Sequence, residues 1–335
     1  MLAEGSALSW PELLVALALA SALVCVGWAL APLGAWWLAQ RAEAEAAGGA
    51  GGAAARVAEA EAVDLSVVVL TRNEERRLAN VLDEAVGFLQ SRAASRGSRV
   101  AQGREYLWEI VVVDMGSLDG SCTVVKRFAD RYGGDAVRLV PLGGALGAGG
   151  KGLALRKGSQ RARGRSLLVM DAGAGVAISE LQRLEEGMAR TEDTKSGQGL
   201  VFASRAHLLC SEGPNAELGE LQPQRSRAAW FLVNLHRALF KLLCADDVFD
   251  AELGCRLITR SAARRLLPNV HLQSAGADAE LVYLAEHKGV PFKEMAVEYK
   301  VQPAPPGLLR RRVDLVRDLI IMRLAYLSGL WSYSE

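Results

Sequence analysis

Four apolar segments rich in β-branched residues recur between residues 65 and 171. They read LSVVVL, EIVVVD, AVRLVPL and SLLVMD. Runs of this length and composition are typical of strands that a sheet buries on both faces. The first intervening segment has Leu78, Leu82 and Val86 at helical spacing, and segments beginning SCTVV and KGLAL are read as two further helices. Strands that alternate with helices predict an α/β, Rossmann-like fold with a mostly parallel sheet flanked by helices.

An uncharged stretch covers residues 13–39, after an N-terminal flank of residues 1–12. About 20 apolar residues cross a bilayer as a helix, so this stretch is long enough, with tilt. Trp36 and Trp37 suit the aromatic belt at a membrane surface, and Arg41 follows on the side that the positive-inside rule assigns to the cytosol. The stretch is therefore predicted to be a single transmembrane helix, with the bulk of the chain in the cytosol.

The same stretch has a second interpretation, a cleaved signal peptide, because small residues at 42–47 resemble a processing site. A signal peptide normally begins with a positively charged region. The flank here instead carries Glu4 and Glu12 and no Lys or Arg. The flank therefore favours the anchor.

The remainder of the chain divides by composition. Residues 40–63 are dominated by Ala, Gly and Glu, which suits a tether, and residues 64–307 are predicted to form the folded domain. Residues 308–335 are predicted to form a basic amphipathic helix lying in the membrane interface, with an ordinary helix packed on the domain as the alternative. Its apolar positions are Val313, Val316, Ile320, Leu324 and Leu327, and its basic flank is Arg310, Arg311, Arg312 and Arg317.

Composition narrows the class of protein. The 335 residues are 50% hydrophobic, enough for one substantial core. A balance of 39 basic against 38 acidic residues argues against a dedicated nucleic-acid-binding protein. The 5 cysteines are scattered and lack CxxC spacing, which predicts reduced thiols in a cytosolic domain and no zinc site.

Candidate binding residues follow three of the predicted strands, at the edge where doubly wound sheets bind ligands. Carboxylates and an amide at these strand ends indicate a nucleotide-sugar site. An Asp at the end of a strand can equally cap the next helix by accepting backbone N–H bonds. The candidates are Asn73, Glu74, Asp114, Ser117, Asp119 and Asp171.

A glycine-rich segment, GGALGAGGKG, precedes the third predicted helix. It fails the phosphate-loop pattern GxxxxGK[ST], because Ala145 and Gly152 stand where that pattern needs Gly and Ser or Thr. One interpretation is a flexible surface loop. The other is that Lys151, at the predicted start of the helix, steadies a diphosphate with its charge and the helix-terminal N–H groups.

Seven short motifs between Asp64 and about Trp331 match one enzyme family. They are NEERRL from Asn73, VVDMGSLDGS for the family's VVDDGSxDxT, GGKGLALRKG for GKGxAxxxG, SRAHL, QRS, DAELGCRL for DTQCGFKL, and DAELVYLA for DVELLYIA. The chain thus resembles the family 2 glycosyltransferases, which have the GT-A fold. The last four motifs resemble those of the group within this family that acts on dolichyl phosphate.

The resemblance implies inverting transfer of glucose from UDP-glucose to dolichyl phosphate, with Mg²⁺ or Mn²⁺, at the cytosolic face of the endoplasmic reticulum membrane. The product would be dolichyl β-D-glucosyl phosphate, used in assembling the N-glycan precursor. Because the acceptor phosphate is already an anion, such a reaction needs positioned charges more than a general base. A divalent ion held by carboxylates would bridge the diphosphate oxygens.

The resemblance also assigns roles to residues. Those assigned to the nucleotide sugar are Asn73, Glu74, Asp114, Ser117, Asp119, Lys151 and Asp171, of which Asp171 is also the metal ligand. Those assigned to the acceptor phosphate are Arg205 and Arg225. The catalytic group is Asp250, Asp278 and Arg256, with either Asp as the candidate base, and Glu280 is expected to line the acceptor side. Surface salt bridges are the alternative for Arg225 and Arg256.

Three positions depart from the family pattern. Gly173 stands where the second Asp of the metal motif would be, Met115 replaces the second carboxylate of DDGS, and Gly175 lies nearby. One hypothesis is a working glucosyltransferase with a weakened metal site. Another is a catalytically impaired or inactive paralogue that serves as a membrane-anchored binding or scaffold protein. A third is transfer of another sugar, such as mannose, to the same lipid.

Overall fold

The computed structural model describes residues 27–34, 36–37, 62–97, 105–142, 150–205, 235, 237–244, 248, 253–300 and 308–332. Most of the predicted anchor at 13–39, nearly all of the tether at 40–63, Arg225 and Asp250 lie outside these residues. Within them, no helix combines the length and the apolar character that crossing a bilayer requires.

Seven strands form one sheet in the order β3-β2-β1-β4-β6-β5-β7. They are β1 Val63–Thr71, β2 Trp108–Asp114, β3 Val137–Pro141, β4 Gly164–Asp171, β5 Leu200–Ser204, β6 Cys255–Thr259 and β7 Phe292–Ala296. β6 runs antiparallel to β4 and β5, whereas the other neighbouring pairs are parallel. The predicted α/β class and mostly parallel sheet are confirmed, and the four strands read from the sequence are β1 to β4.

Helices flank the sheet. They are α1 Glu75–Gly97, α2 Ser121–Tyr132, α3 Lys151–Arg161, α4 Leu181–Thr191, α5 Arg260–Leu266, α6 Ala277–His287 and α7 Leu308–Leu327, with 3-10 turns at Ile178–Glu180 and Leu267–Asn269. Residues 27–34 and 237–243 are also helical. The three helices predicted between the first four strands are α1, α2 and α3.

Side chains from the two faces of β1 enter two separate apolar cores. Val68 and Leu70 belong to one core, and Val67 and Val69 to the other. All four are at most 1% exposed. Full burial of such a side chain contributes about 1.5–3 kcal/mol, so a strand covered on both faces favours the unbroken apolar run seen in its sequence.

Strand register brings the polar strand ends to one edge of the sheet. Thr71 of β1 is opposite Asp114 of β2, and Leu70 is opposite Asp171 of β4. Because β6 is antiparallel, its first residues, including Arg256, reach the same edge. This edge of the sheet therefore holds the last residues of the parallel strands and the first residues of the antiparallel strand β6.

The C-terminal helix α7 buries a different face from its predicted apolar stripe. The buried positions include Leu315, Leu319 and Met322. In contrast, Leu324 is 59% exposed and Leu327 is 72% exposed. The helix therefore both packs on the domain and leaves part of the predicted stripe in solvent.

Helical residues 27–34 lie beside α7. The indole of Trp28 donates a 3.1 Å hydrogen bond to Asp314 Oδ1, and the guanidinium of Arg317 lies 4.9 Å from the Trp28 ring centroid. Further along, Trp36 packs near His271, with ring centroids 6.0 Å apart. The N-terminal segment and α7 thus share one surface of the domain.

Candidate active site

Asp171 ends β4 at the ligand edge of the sheet, and its place depends on Gly254. The Asp171 N–H donates to the Gly254 carbonyl at 2.8 Å. Gly254 has φ +74°, and a β-carbon there would lie 2.8 Å from Asp171 Cγ, closer than real side chains approach. Gly254 was not among the predicted site residues, although it is the glycine of DAELGCRL, a motif chosen for its charged residues.

A chain of alternating charges crosses this edge. Lys151 Nζ donates to Asp171 Oδ2 and to Asp278 Oδ2, each at 2.7 Å. Arg256 Nη1 donates to the other oxygen of Asp278. The two carboxylates and the two cations cancel in formal charge. Lys151 and Asp278 are 127 residues apart in the sequence, so it is the fold that brings the cluster together.

Asp278 is the buried centre of that cluster. Its side chain is 2% exposed and that of Arg256 is 1% exposed, so the surface salt bridge considered for Arg256 is wrong. Burial by itself raises the pKa of Asp278, but the charges of Arg256 and Lys151 and their hydrogen bonds outweigh it and hold that pKa below its ordinary value. Asp278 is therefore an anion with both oxygens engaged, which suits it to positioning cations more than to accepting a proton.

The start of α3 is clamped onto the segment before α6. The Lys151 N–H donates to the Gln273 carbonyl at 2.7 Å, and Gln273 Oε1 accepts from Leu153 N at 2.8 Å. A β-carbon at Gly152 would overlap the Leu272 carbonyl oxygen. Gly152 thus permits a close backbone approach, and the flexible-loop interpretation does not hold for the described end of the glycine-rich segment.

The loops after β1 and β2 are bonded to each other. Asn73 adopts φ +56°, its N–H donates to Ser117 Oγ at 2.9 Å, and its Oδ1 accepts from Leu118 N at 2.8 Å. Asp119 Oδ2 accepts from Glu75 N at 3.0 Å. In the described structure Asn73, Ser117 and Asp119 therefore shape the loops.

The carboxylates of these loops also accept local hydrogen bonds. Asp114 accepts from the N–H groups of Gly116 and Ser117 at 3.1–3.3 Å, which belong to the loop before α2, so Asp114 does not cap that helix as its alternative interpretation had it. Asp119 accepts from Ser121 at 2.6 Å. Slight burial raises the pKa of Asp119, but hydrogen bonds from Ser121 and Glu75 dominate and lower it. The hydrogen bonds of Asp119 therefore favour its ionised form.

Glu74 lies beside the position of the absent Asp. A β-carbon at Gly173 would be 3.0 Å from Glu74 Oε1 and 3.5 Å from Arg77 Nη1. The same two side chains form a 3.3 Å ion pair. The space next to Gly173 therefore holds a Glu–Arg pair, which the sequence analysis did not foresee because Glu74 and Arg77 precede Gly173 by about a hundred residues.

The described residues do not fit the divalent ion that the family resemblance implies. They contain no group of three or more His, Cys, Asp or Glu side chains placed to share an ion. Asp171 Oδ2 is already bound to an ammonium, and its Oδ1, which is buried and has no hydrogen-bond partner, is a single ligand atom with no second carboxylate to complete the set among the described residues. A dication on the same carboxylate would repel Lys151, by about 4 kcal/mol per pair of unit charges at 4 Å and an effective dielectric constant of 20. Gly173 supplies no second carboxylate to offset that repulsion.

The other predicted site residues are dispersed. Arg205 follows β5 at the ligand edge, with its guanidinium carbon 5.0 Å from the Tyr299 ring centroid. Glu280 does not line an open acceptor side: it is 0% exposed and accepts from Leu272 N at 2.7 Å and from Tyr326 Oη at 2.8 Å. Its neighbour two positions earlier, Asp278, points into the charge cluster instead.

A cavity of about 420 Å³ lies away from these residues. Its lining includes Asp64, Ser166 and Thr259, at the opposite ends of β1, β4 and β6 from the charge cluster. Doubly wound sheets bind ligands at the carboxyl ends of their parallel strands, so this cavity is not the donor site.

Comparison with known proteins places the chain in a family. The family model described as "Glycosyl transferase family 2" matches residues 66–266. The dolichyl-phosphate beta-glucosyltransferase of Mus musculus is 30% identical over 272 residues, covering 81% of this chain and 78% of that protein. The Homo sapiens protein of the same name is 31% identical over 274 residues, with coverage of 81% and 78%.

A solved structure agrees with the fold. Glucosyl-3-phosphoglycerate synthase from Mycobacterium tuberculosis, in complex with Mn²⁺, UDP and glucosyl-3-phosphoglycerate, has a TM-score of 0.51 to this chain. The two are 16% identical, with 80% of this chain and 84% of that chain covered. At this identity the likeness establishes the GT-A-like α/β fold. With the family match and the two relatives, it follows that the chain belongs to glycosyl transferase family 2, in the group of the dolichyl-phosphate beta-glucosyltransferases.

Proposed function

We propose that the protein transfers glucose from UDP-glucose to dolichyl phosphate and releases UDP and dolichyl β-D-glucosyl phosphate, which serves N-glycan precursor assembly. The observation that carries the proposal is the cluster in which Lys151 joins Asp171 to Asp278 at 2.7 Å each, at the ligand edge of the sheet. The relatives' names support glucose and dolichyl phosphate as the transferred group and the acceptor.

The reaction needs a site that holds two anions side by side. An oxygen of the acceptor phosphate forms a bond to the anomeric carbon while the bond from that carbon to the UDP oxygen breaks, and its electron pair leaves with UDP. No proton has to be removed from an ionised phosphate. Positioning and charge stabilisation therefore supply the catalysis.

The cations at the sheet edge suit those two tasks. The Lys151 side chain is 12% exposed and lies at the edge of the sheet where a diphosphate would bind. Arg205, at the end of β5, is the described candidate for the acceptor phosphate, as the sequence analysis predicted. Asp278 and Arg256 form the buried layer that orients Lys151.

The proposed reaction uses no divalent ion. The solved structure of similar fold holds Mn²⁺ with UDP, which supports a metal in proteins of this fold generally. The described residues of this chain offer Asp171 with one oxygen already paired to Lys151. In the proposed reaction, the protein's own cations therefore stabilise the negative charge of the leaving UDP.

We place the reaction at the cytosolic face of the endoplasmic reticulum membrane. Large apolar side chains that α7 leaves exposed, among them Leu324 and Leu327, support contact with a lipid surface. A membrane-bound site fits an acceptor whose hydrocarbon chain stays in the bilayer. The anchor at residues 13–39 remains a prediction.

The decisive test uses the full chain solubilised in detergent. Labelled UDP-glucose and dolichyl phosphate should yield labelled lipid from the wild-type protein, and Asp171→Asn should lower the rate by about 100-fold or more. Asp130→Asn, a change of the same chemistry on the exposed face of α2, serves as the control. UDP-glucose binding without product would instead support the binding or scaffold alternative. Product from GDP-mannose in a donor competition would redirect the proposal to another sugar.

A further inference from the structure

The ammonium of Lys151 lies against the one carboxylate that remains from the metal motif. Its distance of 2.7 Å from Asp171 Oδ2 is that of a direct, charge-assisted hydrogen bond. The same nitrogen is 2.7 Å from Asp278 Oδ2. A cation of the protein itself is thus already bound where Asp171 would otherwise hold an ion.

The position of this ammonium is fixed from two sides. The first turn of α3 is anchored because Gln273 accepts hydrogen bonds from Lys151 N and Leu153 N, and Arg256 donates to the far oxygen of Asp278. Lys151 itself is 12% exposed. A lysine that is largely buried, anchored at its backbone and bound to two carboxylates is preorganised, so little side-chain entropy remains to be lost when an anion binds.

Lys151 also retains binding capacity. An ammonium has three N–H donors, and the carboxylates of Asp171 and Asp278 use two of them. A phosphate oxygen can take the third. On the other side of the Asp171 turn, Arg77 Nη1 would be 3.5 Å from a β-carbon at Gly173, so a second protein cation flanks the place of the absent Asp.

The loss of the second Asp is consistent with this arrangement. A carboxylate at position 173 would help to bind a dication, whereas Gly173 leaves Asp171 and Asp278 balanced by Lys151 and Arg256. A dication bound to Asp171 Oδ2 would have to displace the ammonium of Lys151, which already occupies that oxygen. The absence of a carboxylate at Gly173 and the contacts of Lys151 both favour a site without a divalent ion.

We infer that Lys151 takes the place of the divalent cation, and that the protein binds the diphosphate of its sugar nucleotide without a metal ion. This inference deepens the proposed function and rests on it for the identity of the donor. It makes Lys151 a donor-binding residue and Asp278 and Arg256 positioning residues.

Calorimetric titration of the detergent-solubilised full chain with UDP-glucose tests the inference without reference to turnover. The dissociation constant in EDTA should equal that in saturating Mn²⁺ within about twofold. Electron paramagnetic resonance of Mn²⁺ should show no tighter Mn²⁺ binding to protein with UDP than to UDP alone. Tightening of UDP-glucose binding by Mn²⁺ of about tenfold or more would overturn the inference.

Lys151→Met removes the ammonium and keeps a long side chain, and it should weaken UDP-glucose binding by about tenfold or more in EDTA. Lys157→Met, the same substitution on the same helix but outside the cluster, is the matched control. Circular dichroism identifies any unfolding of Lys151→Met. The wild-type comparison of EDTA with Mn²⁺ decides the inference even if that variant does not fold.

Transfer assays run in parallel separate this inference from the proposed function. Product formed in EDTA supports both. Product formed only with Mn²⁺ supports the transferase and overturns the role given to Lys151. Metal-independent UDP-glucose binding with no product in either buffer supports the role of Lys151 and overturns the transferase.

Discussion

Gly254 packs its α-carbon against the carboxylate of Asp171, so closely that a β-carbon would lie 2.8 Å from Asp171 Cγ. The same glycine accepts the Asp171 N–H through its carbonyl at 2.8 Å. Two residues 83 positions apart in the sequence thus determine each other's position in the structure. The site depends on a backbone conformation as much as on charged side chains.

Gly254→Ala should abolish donor binding while leaving a folded protein. The added methyl group displaces the Asp171 carboxylate from Lys151, and the φ of +74° adds backbone strain of about 1–2 kcal/mol. Gly289→Ala is the matched control, because Gly289 has φ +63° and no atom near its would-be β-carbon. Gly254→Ala should lose more stability in urea than Gly289→Ala, which carries the backbone strain without the clash, and only Gly254→Ala should lose UDP-glucose binding in calorimetry. Equal binding by the two variants would contradict this role of Gly254.

Gly173→Asp should destabilise the fold rather than simply complete a metal site. The new carboxylate would stand beside Glu74, whose Oε1 is 3.0 Å from the added β-carbon, while Arg77 is already paired with Glu74. Relative to Gly173→Asn, which has the same shape, we expect a loss of about 0.5–1 kcal/mol in the free energy of unfolding.

Urea denaturation of the two Gly173 variants measures that difference. This difference in stability should shrink in high salt. Glu74 is 26% exposed and Arg77 is 43% exposed, so salt screens the charges beside position 173. Adding Glu74→Gln should remove most of it, as expected for a pairwise coupling. A difference that persists in salt and in the Glu74→Gln background would mean that charge repulsion is not the cause.

The sheet was readable from the sequence because its strands carry an uninterrupted apolar pattern. Val67, Val69 and their neighbours are buried on both sides, so burial and sequence report the same property. β5, β6 and β7 were not predicted. Each has five residues, and β7 is only partly buried, so their sequences lack the long apolar run of β1.

Within the site, the charged residues were predictable but most of their contacts were not. Lys151, Asp171 and Asp278 were all selected from motifs, whereas their mutual ion pairs depend on how α3 and α6 pack. Glu280 shares a motif with Asp278, but the two side chains lie on different faces of α6. Asp278 joins the charge cluster, whereas Glu280 is buried against Tyr326. A motif gives residue types, but it does not give the direction of each side chain.

Asp278 should make stability depend on pH in the acidic range. Its pKa is lowered in the folded protein by Arg256 and Lys151, despite burial, from an ordinary value of 3.8. A carboxyl whose folded pKa is depressed contributes its full stability above the ordinary pKa, and that contribution is lost as pH falls through the folded pKa. Asp278→Asn should therefore cost about 3–5 kcal/mol near neutral pH and progressively less below pH 3.8.

Unfolding by urea at a series of pH values measures this convergence. Asp130→Asn on the exposed face of α2 provides the reference for losing a carboxylate outside the cluster. Wild type and Asp278→Asn should differ most near neutral pH and approach each other in acid. A constant gap across the range would show that the ionised form of Asp278 is not what stabilises the fold.

The exposed apolar residues of α7 should contribute to membrane binding. Leu324 and Leu327 are 59% and 72% exposed, on a helix whose other face packs on the domain through Leu319 and Met322. Full burial of a leucine side chain in the membrane would contribute about 1.5–3 kcal/mol. Replacing both leucines by Glu removes that contribution and adds charges that anionic lipids repel. Co-sedimentation with liposomes containing anionic lipid should fall by about tenfold or more. Leu107→Glu, at the opposite edge of the sheet where Leu107 is 40% exposed, should leave binding unchanged, and equal losses from the two changes would rule out a specific role for α7.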